Sequence, residues 1–127
     1  MEHNPETEGT TWTTWTPGIC TNGAVSRRTS WYAPFAELVN TRGVSLRNLF
    51  VFHMDECLDW QGRLLPANHP CNFRTYMERH FYSPIRPELA VPEEQRFWLT
   101  PSSMEAVRAA IDEAPIDITI GGWGQDG

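Results

Sequence analysis

The residues best placed for chemistry are Asp55 and Glu56, which directly follow the apolar run Leu49-Phe50-Val51-Phe52 and the pair His53-Met54. A third acid, Asp126, sits in Gly121-Gly122-Trp123-Gly124-Gln125-Asp126-Gly127, just after Ile116-Asp117-Ile118-Thr119-Ile120. Each apolar segment reads as a β-strand that stops abruptly and presents a carboxylate past its carboxyl end. In an open parallel α/β sheet, ligands bind in the crevice outside those ends. Carboxylates from two strand ends, beside a glycine loop that lets backbone approach a ligand closely, suit proton transfer on a small polar substrate.

The remaining elements must hold those strands in place. Ser30 is positioned to cap a helix with Tyr32, Phe35, Leu38 and Val39 on one face, and Gly43 stands where it should stop. Asp59-Trp60-Gln61-Gly62-Arg63 reads as a polar loop with a turn glycine. His69-Pro70 opens the next helix, and Phe73, Tyr76, Met77, His80 and Phe81 form its apolar stripe, with His80 a core or interface histidine. Arg96-Phe97-Trp98-Leu99 is a candidate short strand. Ser102 and Glu105 match a capping box ahead of a helix buried through Met104, Val107, Ile111 and Ala114. Strand alternating with helix at this spacing predicts an α/β fold with a parallel sheet covered on both faces. Residues 1–29 form a poorly defined leader or remnant, and 30–127 the α/β domain. The Thr/Trp alternation from Thr11 to Thr16 fits either a strand or an unstructured leader.

Several of these motifs carry a family resemblance. Phe52-His53-Met54-Asp55-Glu56 resembles the strand-end Met-Asp-Glu motif of glucosamine-6-phosphate deaminases, within the superfamily that also holds 6-phosphogluconolactonases. Leu65-Pro66-Ala67-Asn68-His69-Pro70, followed by Met77, Arg79 and Phe81, is similar to that family's next segment. The loop from Gly121 to Gly127 resembles its Gly-Gly-x-Gly-Asn-Asp-Gly loop, with Gln125 replacing Asn. The resemblance runs from Tyr32 to Gly127. It implies a three-layer, mostly parallel, open Rossmann-like sheet. It also implies conversion of glucosamine 6-phosphate to fructose 6-phosphate and ammonia, an aldose–ketose isomerisation coupled to deamination.

The resemblance implies roles residue by residue. Asp55 is the base that takes the sugar C2 proton and returns it to C1, and Glu56 orients the site or touches substrate. Gly121, Gly122 and Gly124 line the substrate loop. Asp126 supports a ring-opening His that would stand two residues further on. The family's phosphate loop has no clear counterpart; the nearest candidates are Thr16-Pro17-Gly18 and Thr21-Asn22-Gly23, so Thr16, Gly18 and Thr21 are the expected phosphate contacts. Asp59–Arg63 looks like an insertion. The resembled family is considerably longer, which makes the chain an expected fragment, incomplete at both ends of the sheet and inactive alone. A full-length form would be a possible homo-oligomer. Two other functions compete. A lactonase-like hydrolase would favour Asp-Glu-Arg where Cys57 follows Glu56, and a non-catalytic sugar-phosphate sensor would account for the altered phosphate loop.

Composition narrows the partners. The chain has 127 residues, 40% of them hydrophobic, and a formal net charge of −6. All basic residues are Arg, and an acidic surface without clustered cations argues against nucleic acid. No apolar run approaches the roughly 20 residues of a membrane helix. The acidic start Met1–Glu6 lacks the apolar core of a signal peptide, so the cytoplasm is the expected location. Cys20, Cys57 and Cys71 have no paired spacing and read as reduced thiols, with Cys57 a half-buried filler. Gly122-x-Gly124-x-x-Gly127 lacks the helix and acid that a dinucleotide fingerprint needs. His53, Asp55, Glu56, Cys57, His69 and His80 match no established metal spacing. No cofactor is expected.

Overall fold

A computed structural model describes residues 10–14 as backbone and residues 31–120 in full. Four strands form one sheet in the order β3-β2-β1-β4. Here β1 is Thr10–Thr14, β2 Leu49–His53, β3 Arg96–Phe97 and β4 Ile118–Ile120. Every neighbouring pair runs parallel, with Trp12 opposite Val51 and Ile118, and Val51 opposite Arg96. The carboxyl ends of β2 and β4 therefore lie at the same edge of the sheet. The Thr/Trp segment takes a strand position between them. That strand falls within residues 1–29.

The core is built on one face of β2. Leu49 and Val51, two apart on a pleated strand, point to the same side. There they pack with Tyr32, Ala36 and Val39 from α1 (Tyr32–Arg42), and with Met77, Phe81 and Tyr82 from the next helical segment. Phe52 faces the other way and stacks on Phe97, ring centroids 4.4 Å apart. Helix α1 ends as its sequence predicts. Gly43 adopts the left-handed conformation, φ 65°, and its N–H bonds to the Val39 carbonyl. Its buried stripe is nevertheless centred on Ala36, leaving Leu38 exposed, and Trp31 occupies the N-cap position without a side-chain bond. Ser30 lies outside the described residues.

The second helix departs further from expectation. It does not open at His69-Pro70: α2 spans Phe73–Met77, and Asn72 caps it by accepting the Thr75 N–H at 2.8 Å. The Asn72 amide also donates to the Leu65 carbonyl at 2.8 Å, tying the preceding loop to the helix start. After Met77 the chain widens into a π-helical turn, Glu78–Tyr82. A wider turn changes which side chains face inward. Phe73, Met77, Phe81 and Tyr82 are buried, while His80, expected in the stripe, is exposed.

Helix α3, Met104–Glu113, is likewise not held by a capping box. Ser103 stands at its N-cap position, and its hydroxyl donates to the Trp98 carbonyl at 2.7 Å instead of closing on Glu105. Val107 is its buried residue; Met104 and Ala114 are exposed. The expected loop at Asp59–Arg63 is a tight hairpin. Leu58 bridges Leu64, and Gly62 takes φ 76° to close the turn. Asp59 accepts backbone bonds from Gln61 and Arg63, so Trp60 is held at the tip, 90% exposed.

The thiols also correct the sequence reading. Cys57 is not in a disulfide, but Cys71, 4% exposed ahead of α2, is disulfide-bonded. Linear spacing does not report which cysteines the fold brings within the few ångströms a disulfide needs.

Candidate functional site

Asp55 lies two residues past the end of β2, at the sheet's carboxyl edge. Its side chain is half-buried, and burial raises its carboxyl pKa above the ordinary aspartate value. Among the described residues nothing hydrogen-bonds to it or pairs with it. A carboxylate partly withdrawn from water and not committed to a neighbour is what a general base requires.

Glu56 is used quite differently. One carboxylate oxygen accepts the N–H groups of Cys57 and Phe73, both at 3.0 Å, and the other accepts Arg74 N–H at 3.4 Å. The last two are the opening N–H groups of α2, which lack intrahelical partners. Glu56 thereby fastens α2 to the end of β2, and most of its acceptor capacity goes to backbone. The adjacent acids divide the work: Asp55 has no hydrogen-bond or ion-pair partner among the described residues, and Glu56 ties the start of α2 to the end of β2. Cys57 next to them has its thiol pushed up, first by burial and then by the charges of Glu56 and Asp55. A thiol held protonated is a poor nucleophile, which fits its reading as a filler.

Behind Asp55 lies an aromatic and cationic cluster that sequence reasoning missed. His53 is 5% exposed and stacks flat on Trp98, with centroids 3.9 Å apart and planes 4° apart. The two rings are next in the register that pairs Phe52 with Phe97. The His53 Nε2 also lies 2.8 Å from the Tyr82 hydroxyl, so the π-turn is fixed to the strand end. Arg74 sits over the Trp98 ring at 5.2 Å and Arg96 over Tyr82 at 4.0 Å. Arg96 also pairs with Glu78 at 3.1 Å and donates to the Val91 carbonyl. The available signal was His53 closing the apolar run two residues before Asp55, together with Trp98 directly after β3.

Burial, and then the positive charges of Arg96 and Arg74, lower the His53 pKa from 6.5 to about 3. The ring is therefore neutral in the fold, whereas in the unfolded chain it takes up a proton near pH 6.5. Stability should fall as pH drops from 6.5 towards 3, by about 1.4 kcal/mol per pH unit at most from this group. Asp55, with its carboxyl pushed up, acts in the opposite sense. The His53 contribution is thus the difference between the native chain and His53→Gln in urea midpoints measured across that range. Parallel curves for the two proteins would show that the ring is not held neutral.

The other expected site residues, Thr16, Gly18, Thr21, Gly121, Gly122, Gly124 and Asp126, lie outside the described residues. Among the described residues no three His, Cys, Asp or Glu side chains gather as metal ligands. No described helix is long and apolar enough to cross a membrane. Comparison with known proteins found no matching family model, no matching curated protein and no matching solved structure.

Proposed function

We propose that this chain carries part or all of a sugar-phosphate deaminase/isomerase site on a three-layer, Rossmann-like α/β domain. Its reaction is the conversion of glucosamine 6-phosphate to fructose 6-phosphate and ammonia. The observation that carries this reading is Asp55, a half-buried carboxylate with a raised pKa and no partner among the described residues, at the carboxyl edge of a parallel sheet. Such a group can take a proton from the sugar C2 carbon of the ring-opened substrate and deliver it to C1. The order of the three motifs, Met54-Asp55-Glu56, Leu65–Pro70 and Gly121–Gly127, supports the same substrate class. Glu56 is a positioning residue in this scheme, because its oxygens are engaged by the end of α2. No cofactor takes part, and the partner is the small-molecule sugar phosphate.

The test is a coupled assay for ammonia and fructose 6-phosphate with the natural full-length polypeptide. Turnover supports the proposal, and tight binding of the sugar phosphate without product rejects catalysis in favour of a sensor. A cytoplasmic location belongs to the same proposal. The disulfide at Cys71 weighs against it, since such bonds persist chiefly in oxidising compartments. Cell fractionation that recovers the protein outside the cytosol would reject that part.

A further inference from the structure

A second feature, away from Asp55, also has the makings of a ligand site. A cavity of about 120 Å³ lies between the loop Ala67–Pro70 and the outward row of the helical segment, Asn72, Thr75, Tyr76, Arg79 and His80. Neither Asp55, His53 nor Trp98 lines it. On that measure a water needs about 10–15 Å³, so there is room for a tetrahedral oxyanion and its hydration.

Its chemistry points to an anion. The chain carries sixteen acids against ten arginines, yet among the described residues no Asp or Glu lines this cavity. Arg63, Arg74, Arg86, Arg96 and Arg108 each pair with a carboxylate, whereas Arg79, like Arg42 and Arg47, has no such partner among the described residues, and of those three it alone lines the cavity. A guanidinium offers its donors in a planar fork that matches phosphate. His69 Nδ1 accepts the Cys71 N–H at 3.1 Å, so in the neutral ring the proton is on Nε2, leaving a donor there. The walls are preorganised. His69 N–H bonds to the Pro66 carbonyl at 2.8 Å, and Asn72 N–H bonds to the His69 carbonyl at 3.0 Å. The His80 ring lies against Tyr76 at 4.4 Å.

We propose that this cavity is a second, independent site for the phosphate group of a small molecule, with Arg79 as the principal contact and His69 and His80 as flanking donors. The rest of a phosphate ester would lie outside the cavity's open side.

The test follows the histidine ring resonances by NMR during titration with inorganic phosphate and, separately, with glucose 6-phosphate. Chloride at matched ionic strength is the control. Saturable shifts of His69 and His80, with His53 unmoved, are expected. Tighter binding of the ester than of inorganic phosphate would identify a phosphate ester as the ligand, and the reverse would identify free phosphate. Arg79→Gln should weaken binding by at least about tenfold, the loss expected when a hydrogen bond to a charged group is removed. Arg79→Lys should recover part of it. Shifts reproduced by chloride, native affinity in Arg79→Gln, or no recovery by lysine would each overturn the proposal. Turnover is not read here, so failure at this cavity leaves the Asp55 reading standing, and an inactive enzyme leaves the cavity standing.

Discussion

If the proposed deaminase function holds, replacing Asp55 by Asn should lower turnover of glucosamine 6-phosphate by roughly 100- to 10,000-fold, the range over which a positioned general base contributes. KM should change little. Asn matches Asp in shape, and among the described residues no partner of the Asp55 carboxylate is lost by the exchange. Loss in kcat with KM preserved marks an interaction made in the transition state and not in the bound substrate. The pH profile carries the same information. A base must be ionised to work, and burial raises the Asp55 carboxyl. The acid limb of kcat should therefore fall away at a higher pH than an exposed aspartate would give. Turnover in Asp55→Asn within about threefold of the native rate, far below the general-base range, would remove Asp55 from the role. Glu56→Gln separates the neighbouring acid. It keeps one acceptor oxygen for the α2 N–H groups while removing the charge, so its loss should be the smaller of the two if Glu56 only positions the wall.

What the sequence could convey about this fold depended on how local each signal was. The strand at β2 was legible because a dense apolar run ending in two acids has few other readings. Gly43 was legible because the left-handed cap is a property of one residue and its immediate neighbours. The α2 start was not, because the group that satisfies its first N–H donors is Glu56, seventeen residues upstream of Phe73. Neither was the exposure of His80. An apolar stripe at helical spacing presumes an α-helix throughout, and the change to a π-turn after Met77 reassigns the inward position to Tyr82.

The site divides along the same line. Asp55 could be named from the chain because it follows its strand directly. The distinction between Asp55, without a partner among the described residues, and an engaged Glu56 could not, since it rests on contacts with a helix distant in sequence. The His53–Trp98–Tyr82 cluster was hidden for the same reason. Its members are separated by up to forty-five positions and meet only through the parallel register of β2 and β3 and through the π-turn. In the sequence, His53 matched no metal-ligand spacing and was given no role; in the fold its ring stacks on Trp98 and bonds to Tyr82.

The π-turn joins the core to this cluster, and Phe81 is where the joint can be tested. Its side chain is 1% exposed and stacks parallel to Phe35, with ring centroids 5.7 Å apart. The rings of Tyr32, Trp31 and Tyr82 pack edge-on around it at 5.3, 5.9 and 5.0 Å. Truncation leaves a cavity bounded by rigid rings that cannot collapse into it. Phe81→Ala should therefore cost about 3–5 kcal/mol, a large share of the roughly 5–15 kcal/mol by which such domains are stable. The urea midpoint should drop steeply at unchanged slope, while Phe81→Leu retains most of the stability. The damage should also spread to the strand end, because Tyr82, the next residue, holds His53 at 2.8 Å. Trp60→Ala is the control. Removing a still larger ring that is 90% exposed should move stability by no more than about 0.5 kcal/mol. If Phe81→Ala and Trp60→Ala prove equally mild, the aromatic cluster around the π-turn does not hold this fold together, and the placement of His53 behind Asp55 loses its support.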